Sequence, residues 1–124
     1  MPRLGRDPAP AGPVVRGFAG GEFVVDGARY RALLLTPERA EAWEPPTLAE
    51  LDIADFAPLL ALDPLPEFVL LGTGRATAFA PRALVAGFEA AGVGIEAMDS
   101  RAAARAWTML RAEERWIAAA LLPL

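Results

Sequence analysis

The chain has 124 residues, 54% of them hydrophobic, which fits one domain with its own core. It has no Cys, His, Lys, Asn or Gln, and all 12 basic residues are Arg, so thiolate and imidazole chemistry, zinc, haem and iron–sulfur ligation, a Ser-His-Asp triad and Lys-based catalysis are excluded. A net charge of −4 argues against nucleic-acid or anionic-membrane binding.

Residues 1–13 are rich in Pro, Gly and Ala without periodicity and read as a flexible tail, with a single domain over 14–124. No apolar signal-type segment occurs there. From Val14 to Leu35 the pattern is β. Gly20-Gly21 marks a bend, and Phe23-Val24-Val25, Asp26-Gly27 and Ala28 to Leu35 read as a hairpin whose Asp-Gly supplies the positive φ angles of a tight turn. Thr36-Pro37 closes this unit.

Residues 38–67 carry eight carboxylates against Arg39 alone. Such a run is a solvated face or a dock for a basic partner. Trp43 before Pro45-Pro46 predicts a short extended segment with an anchoring indole, the best placed of the three Trp for a semi-exposed interface. For Trp43, Trp107 and Trp116, two of which lie on apolar-patterned faces, core packing is favoured over a stacking platform. Leu48 to Leu62 is partly helical, with Phe56, Leu59 and Leu60 at helical spacing and Pro64 and Pro66 as terminators.

Phe68 to Leu71 reads as a strand buried on both faces. The loop Gly72 to Ala80 follows, then a helix opened by Pro81 at a first-turn position, with Leu84, Phe88 and Ala91 inward and Gly92 as terminator. Val93 to Met98 is the next strand. Asp99 or Ser100 caps a helix lined by Ala103, Trp107 and Leu110. Glu113-Glu114-Arg115 is a helix exit, and Arg115 to Leu122 a final strand. The fold class is therefore α/β: a layered single domain with a central mixed β-sheet, an N-terminal β-hairpin unit and a C-terminal β-α-β-α-β unit.

Gly72-Thr73-Gly74 ends a buried strand, where open α/β sheets bind ligands, and its backbone N–H groups invite an anion. The dinucleotide fingerprint fails, because position 77 is Thr; the plainer reading is a tight turn. Asp99 either caps its helix or pairs with Arg105 or a cation. Arg105 either receives an anionic ligand or a partner's carboxylate, or forms a surface ion pair. No pair of carboxylates has a spacing that singles it out for acid–base work.

The segments Gly20 to Gly27, Trp43, Leu70-Leu71-Gly72-Thr73-Gly74 and Met98 to Arg105 together resemble a domain-of-unknown-function family of small α/β proteins. It includes the mitochondrial complex I assembly factor three and the adipogenesis-associated Mth-domain protein. The resemblance spans roughly residues 14–124. It implies a compact fold on a central mixed sheet, no established enzymatic activity and, for the mitochondrial member, work through protein partners. In many relatives the helix after Met-Asp-Thr reads Ala-Ala-Cys-Arg-Thr, an aromatic, then Asn. Here Ser100 stands for the Thr, Ala104 for the Cys, Arg105 for the Arg, Ala106 for the second Thr, Trp107 for the aromatic and Thr108 for the Asn. The family's Gly-Ser after the hairpin Tyr becomes Ala32-Leu33.

The expectation is a soluble, cytoplasmic, non-catalytic interaction or assembly factor with an unidentified protein partner. No catalytic residue, cofactor, metal, nucleic acid or membrane insertion is expected, and self-association stays open. A link to respiratory-complex assembly is implied by the resemblance alone. The functional surface would lie around Gly72, Thr73, Gly74, Asp99, Ser100 and Arg105. The alternative is an anionic-metabolite binder or enzyme using the Gly72-Thr73-Gly74 loop with Asp99 and Arg105.

Overall fold

A computed structural model describes residues 12–124, so most of the segment read as a tail lies outside the described residues. Two sheets share one chain. Strands β1 (Val15–Ala19), β2 (Glu22–Val25) and β3 (Ala28–Tyr30) form an antiparallel three-stranded sheet in the order β1-β2-β3. The β2–β3 turn is Asp26-Gly27, with φ of 47° and 85°. Both angles are positive, as a primed two-residue turn demands, and Val25 pairs directly with Ala28.

The second sheet holds β4 (Leu33–Leu35), β5 (Ala40–Ala42), β6 (Phe68–Gly72), β7 (Gly94–Met98) and β8 (Ala118–Leu121) in the order β5-β4-β8-β6-β7. β4 runs antiparallel to β5 and β8, while β8, β6 and β7 are parallel to one another. The sheet is mixed, as expected.

The stretch Ala28 to Leu35, read as one strand, is two. β3 stays in the small sheet and β4 enters the large one, with a break at Arg31-Ala32. The physical reason is burial. Ala28 and Arg29 face solvent, whereas Leu33, Leu34 and Leu35 are buried on both faces of a central strand. β5 was not anticipated, because its Ala-Glu-Ala lies inside the acidic run. Thr36 makes it: its hydroxyl accepts the N–H groups of Glu38 and Arg39 at 3.1 and 3.0 Å, closing the turn between β4 and β5.

The two faces of the large sheet carry separate cores. On one, Leu34, Val69, Leu71, Ala118, Ala120 and Leu122 pack against Trp43, Phe56, Leu59, Leu84 and Phe88. On the other, Leu33, Leu35, Leu70, Ala119 and Leu121 pack against Trp107, Ala103, Ala104, Phe23 and Val25. Strict alternation along β4, β6 and β8 produces this division. Trp43 is 9% exposed, stacks edge-on to Phe56 at 5.6 Å and donates its indole N–H to the Asp55 carbonyl. Trp43 is thus core, as favoured for the Trp residues, and not the semi-exposed one of the three; that is Trp116, which stays partly exposed.

The region 48–62 is less regular than a helix. It contains 3-10 turns at Leu48–Glu50 and Ile53–Phe56 and a single α turn, α1 (Ala57–Leu60), with Pro58 in its first turn. Helix α2 (Arg82–Ala91) begins one residue later than read, so Pro81 is its N-cap rather than a helical residue. Helix α3 (Ser100–Ala112) lies on the opposite face from α2 and is capped by Asp99. At its exit, Glu114 and Arg115 donate their N–H groups to the Arg111 and Leu110 carbonyls, the paired bonds of a Schellman ending. No helix among the described residues is long and apolar enough to cross a membrane.

Candidate functional site

Parallel strands β8, β6 and β7 end together, and α3 starts there. Ser100, the first residue of α3, is fully buried. Its hydroxyl donates to the Leu122 carbonyl and accepts the Gly74 N–H, both at 2.8 Å. Its own N–H donates to the Gly74 carbonyl at 2.8 Å, and the Leu122 N–H donates to the Gly72 carbonyl at 3.0 Å. One side chain thereby ties the strand-end loop, the helix start and the chain leaving β8 to one another.

Gly72 is what lets the helix come so close. A Cβ there would sit 2.7 Å from Ser100 Oγ and 2.9 Å from both Ser100 Cα and Leu121 Cδ2. The first glycine of the loop serves close packing of helix on strand. Thr73 closes the other side: its N–H donates to the Met98 carbonyl at 2.8 Å. Its hydroxyl lies 2.7 Å from the Ala76 carbonyl and 3.1 Å from that of Met98, two acceptors for one proton.

Asp99 accepts the Ala102 N–H at 2.9 Å, which is N-capping. The N–H groups of Ser100 and Ala102 in the first turn of α3 are therefore both engaged inside the fold. So are the N–H groups of Thr73 and Gly74. An anion cradle needs such donors free and pointing at the ligand; these point at protein acceptors. Among the described residues, no group of three acidic side chains could hold a metal ion. A groove of about 310 Å³ runs beside the loop, lined in part by Arg31, Thr47, Thr73, Gly74 and Pro123. Asp99 and Arg105 do not line it.

The structure thus brings Gly72, Thr73, Gly74, Asp99 and Ser100 together and leaves Arg105 apart. Arg105 is exposed on α3, where it lines a separate groove with Val15, Phe18, Ala104, Thr108 and Met109. It has no ion pair among the described residues. The opposite wall of that groove is β1, some ninety residues earlier in the chain, so sequence spacing gives no sign of it. Two exposed apolar side chains also escaped sequence reasoning. Phe79, in the loop after β6, is 96% exposed, and Met109 is 64% exposed. Each had a signal: Phe79 stands between two alanines in a stretch without apolar periodicity, and Met109 falls off the buried stripe of α3.

At the opposite, amino end of these strands a charge pair shifts titration. Arg115 hydrogen-bonds Glu67 and holds its carboxyl below the usual range; the same bond raises Arg115.

Comparison with known proteins agrees with this architecture. A family model described as a protein of unknown function (DUF498/DUF598) matches residues 15–122. An uncharacterised protein of Rhodobacter capsulatus is 36% identical over 121 residues, covering 96% of this chain and 92% of that protein. The crystal structure of a Bordetella parapertussis protein superposes with a TM-score of 0.82 at 34% identity, over 94% of this chain and all of that one. The solution structure of a Bordetella pertussis protein described as a Mth938-like domain gives a TM-score of 0.77 at 32% identity, over 98% of this chain and 92% of that one. The resemblance read from the glycine hairpin, the Gly72-Thr73-Gly74 loop and the start of α3 holds across the domain, and the chain belongs to the DUF498/DUF598 family, with the fold of a Mth938-like domain.

Proposed function

We propose that this protein is a non-catalytic interaction factor of the cytoplasm that holds a protein partner during assembly. The surface is the loop at the carboxyl ends of the parallel strands. Gly72, Thr73, Gly74, Asp99 and Ser100 are its rigid base, and Phe79 is the contact. The observation that carries the reading is Phe79, an aromatic ring left 96% exposed on a loop whose base is fixed by buried hydrogen bonds. An exposed aromatic on a pre-organised base binds without a large ordering cost and is the usual chemistry of an interface hot spot. The loop donors, already committed to protein acceptors, favour a protein contact over an anionic metabolite. The resemblance to a complex I assembly factor makes respiratory-complex subunits the first clients to look for.

The test is capture of partners by the tagged full chain at native expression, read by mass spectrometry, beside Phe79→Ala. A stoichiometric partner is expected, held about tenfold or more weakly by the variant. No specific partner under crosslinking, or a partner held equally by folded Phe79→Ala, refutes the reading.

A further inference from the structure

The groove that contains Arg105 combines apolar and cationic side chains. It encloses about 290 Å³ between β1 and α3. Val15, Phe18, Ala104 and Met109 contribute apolar surface, and Arg16 and Arg105 line it; no carboxylate does. Arg101 adds a third cation, its guanidinium 5.4 Å from the centre of the Phe18 ring. None of these three arginines is in an ion pair among the described residues. In a chain of net charge −4, this is a local concentration of positive charge around an apolar cleft.

One wall of the groove is an edge strand. β1 pairs only with β2 in the three-stranded sheet, so among the described residues no strand lies on its outer side. Ala19 and Glu22 flank a two-residue turn, Gly20-Gly21, and Phe18 faces Phe23. In such a hairpin the turn-flanking pair exchanges its backbone bonds and the next pair does not. The Phe18 N–H and C=O therefore point away from β2, to the side on which an added strand would pair. The helix α3 stands over the other end, where the Thr108 hydroxyl donates to the Val15 carbonyl at 3.4 Å.

We propose that this groove binds an extended acidic segment of a partner protein, alternating carboxylates with apolar side chains. Its backbone pairs along β1 at Phe18, its apolar residues enter the cleft beside Met109, and its carboxylates meet Arg16, Arg101 and Arg105. Charge complementarity selects the occupant: three guanidiniums outside any ion pair among the described residues, at a groove that no carboxylate lines, favour carboxylates, which Arg receives in bidentate geometry. The apolar cleft favours a side chain over a bare anion, and the strand edge at Phe18, unpaired with another strand among the described residues, favours an extended backbone. The inference rests on the interaction reading above but uses a different surface, on which Arg105 does what the loop residues cannot.

The test uses the full chain and a random peptide library displayed on phage. Peptides selected on the wild-type protein are expected to alternate Asp or Glu with apolar residues. One such peptide, fluorescein-labelled, should bind about tenfold or more weakly to Arg105→Glu and to Met109→Asp, and more weakly as salt rises. Its binding should be unchanged by Phe79→Ala, which separates this groove from the loop surface. Basic or neutral selected peptides, no selection at all, or equal binding by folded Arg105→Glu each overturn the proposal. Self-association of the wild type that Arg105→Glu abolishes, without peptide binding, assigns the groove to a second copy and overturns it too.

Discussion

At the carboxyl ends of β8, β6 and β7, the side-chain tie between neighbouring segments is a buried hydroxyl; at the amino ends, where backbone bonds also join the segments, an exposed charge pair is added. In the first case Ser100 Oγ bridges the Gly74 N–H and the Leu122 carbonyl at 2.8 Å, with Ser100 fully buried. In the second, Arg115 donates Nη2 and Nε to the two Glu67 oxygens at 2.8 and 3.3 Å. Their side chains remain 40% and 48% exposed. The charge pair has the stronger bonds in isolation. Yet water can replace either of its partners, whereas no water stands ready for the Gly74 N–H. The neutral, buried tie should therefore dominate stability and the charged, exposed one should barely register.

The largest effect is expected at Gly72. In Gly72→Ala the new Cβ meets Ser100 Cα and Leu121 Cδ2 at 2.9 Å, and the Ser100 backbone belongs to a capped helix that cannot easily retreat. A loss of about 3 kcal/mol follows, at the upper end of overpacking, to be measured by urea denaturation. The contacts themselves make the effect separable. The shortest contact, 2.7 Å, is to Ser100 Oγ. Gly72→Ala combined with Ser100→Ala should therefore lose less than the two single variants added together. Strict additivity would mean that the helix start, not the hydroxyl, takes the whole strain.

Ser100→Ala alone comes next. It leaves the Gly74 N–H and one lone pair of Leu122 without their partner in a site closed to solvent, a cost of about 2 kcal/mol. Amide hydrogen exchange should localise the damage: protection at Gly74 should fall well before protection along β6. A global shift with no preference for Gly74 would show that Ser100 acts by packing rather than by tying.

What the sequence discloses about these two ends follows from how local each one is. Asp26-Gly27 as a primed turn, Asp99 as a cap and Gly72 as a strand end each rest on a few consecutive residues, and all three are legible. The Ser100 tie is half legible. A small polar residue after Asp99 reads as a second capping candidate, but its acceptor, the Leu122 carbonyl, comes from a strand that only the sheet order places alongside. Arg105 is the reverse case. Its helix and exposure follow from periodicity, while its surroundings come from β1, far away in the chain. The break between β3 and β4 at Arg31-Ala32 was hidden because the alternating Ala28 to Arg31 runs straight into the apolar Ala32 to Leu35 with no Gly or Pro to mark a change of sheet. β5 was hidden because its Ala-Glu-Ala has no strand propensity of its own and exists through pairing with β4.

The smallest effect is expected at the amino ends, and its sign can be fixed. Arg115, chiefly through its hydrogen bonds, lowers the Glu67 carboxyl below its ordinary value in the folded chain. A carboxylate so lowered contributes its stability above the unfolded-state value, and loses it as pH falls through the folded one. Glu67→Gln should therefore differ from wild type only at pH values above the carboxylate range, and there by no more than ordinary surface substitutions do. In acid the two denaturation curves should coincide, and raised salt at neutral pH should bring them together as well. The Glu67 N–H, which donates to the Trp116 carbonyl at 2.8 Å, and the Trp116 indole, which donates to the Pro64 carbonyl at 2.7 Å, persist in the variant and keep β6 and β8 aligned. A Glu67→Gln loss as large as that of Ser100→Ala would break the contrast, and would place the amino ends of the strands under the same buried, water-excluded regime as the carboxyl ends.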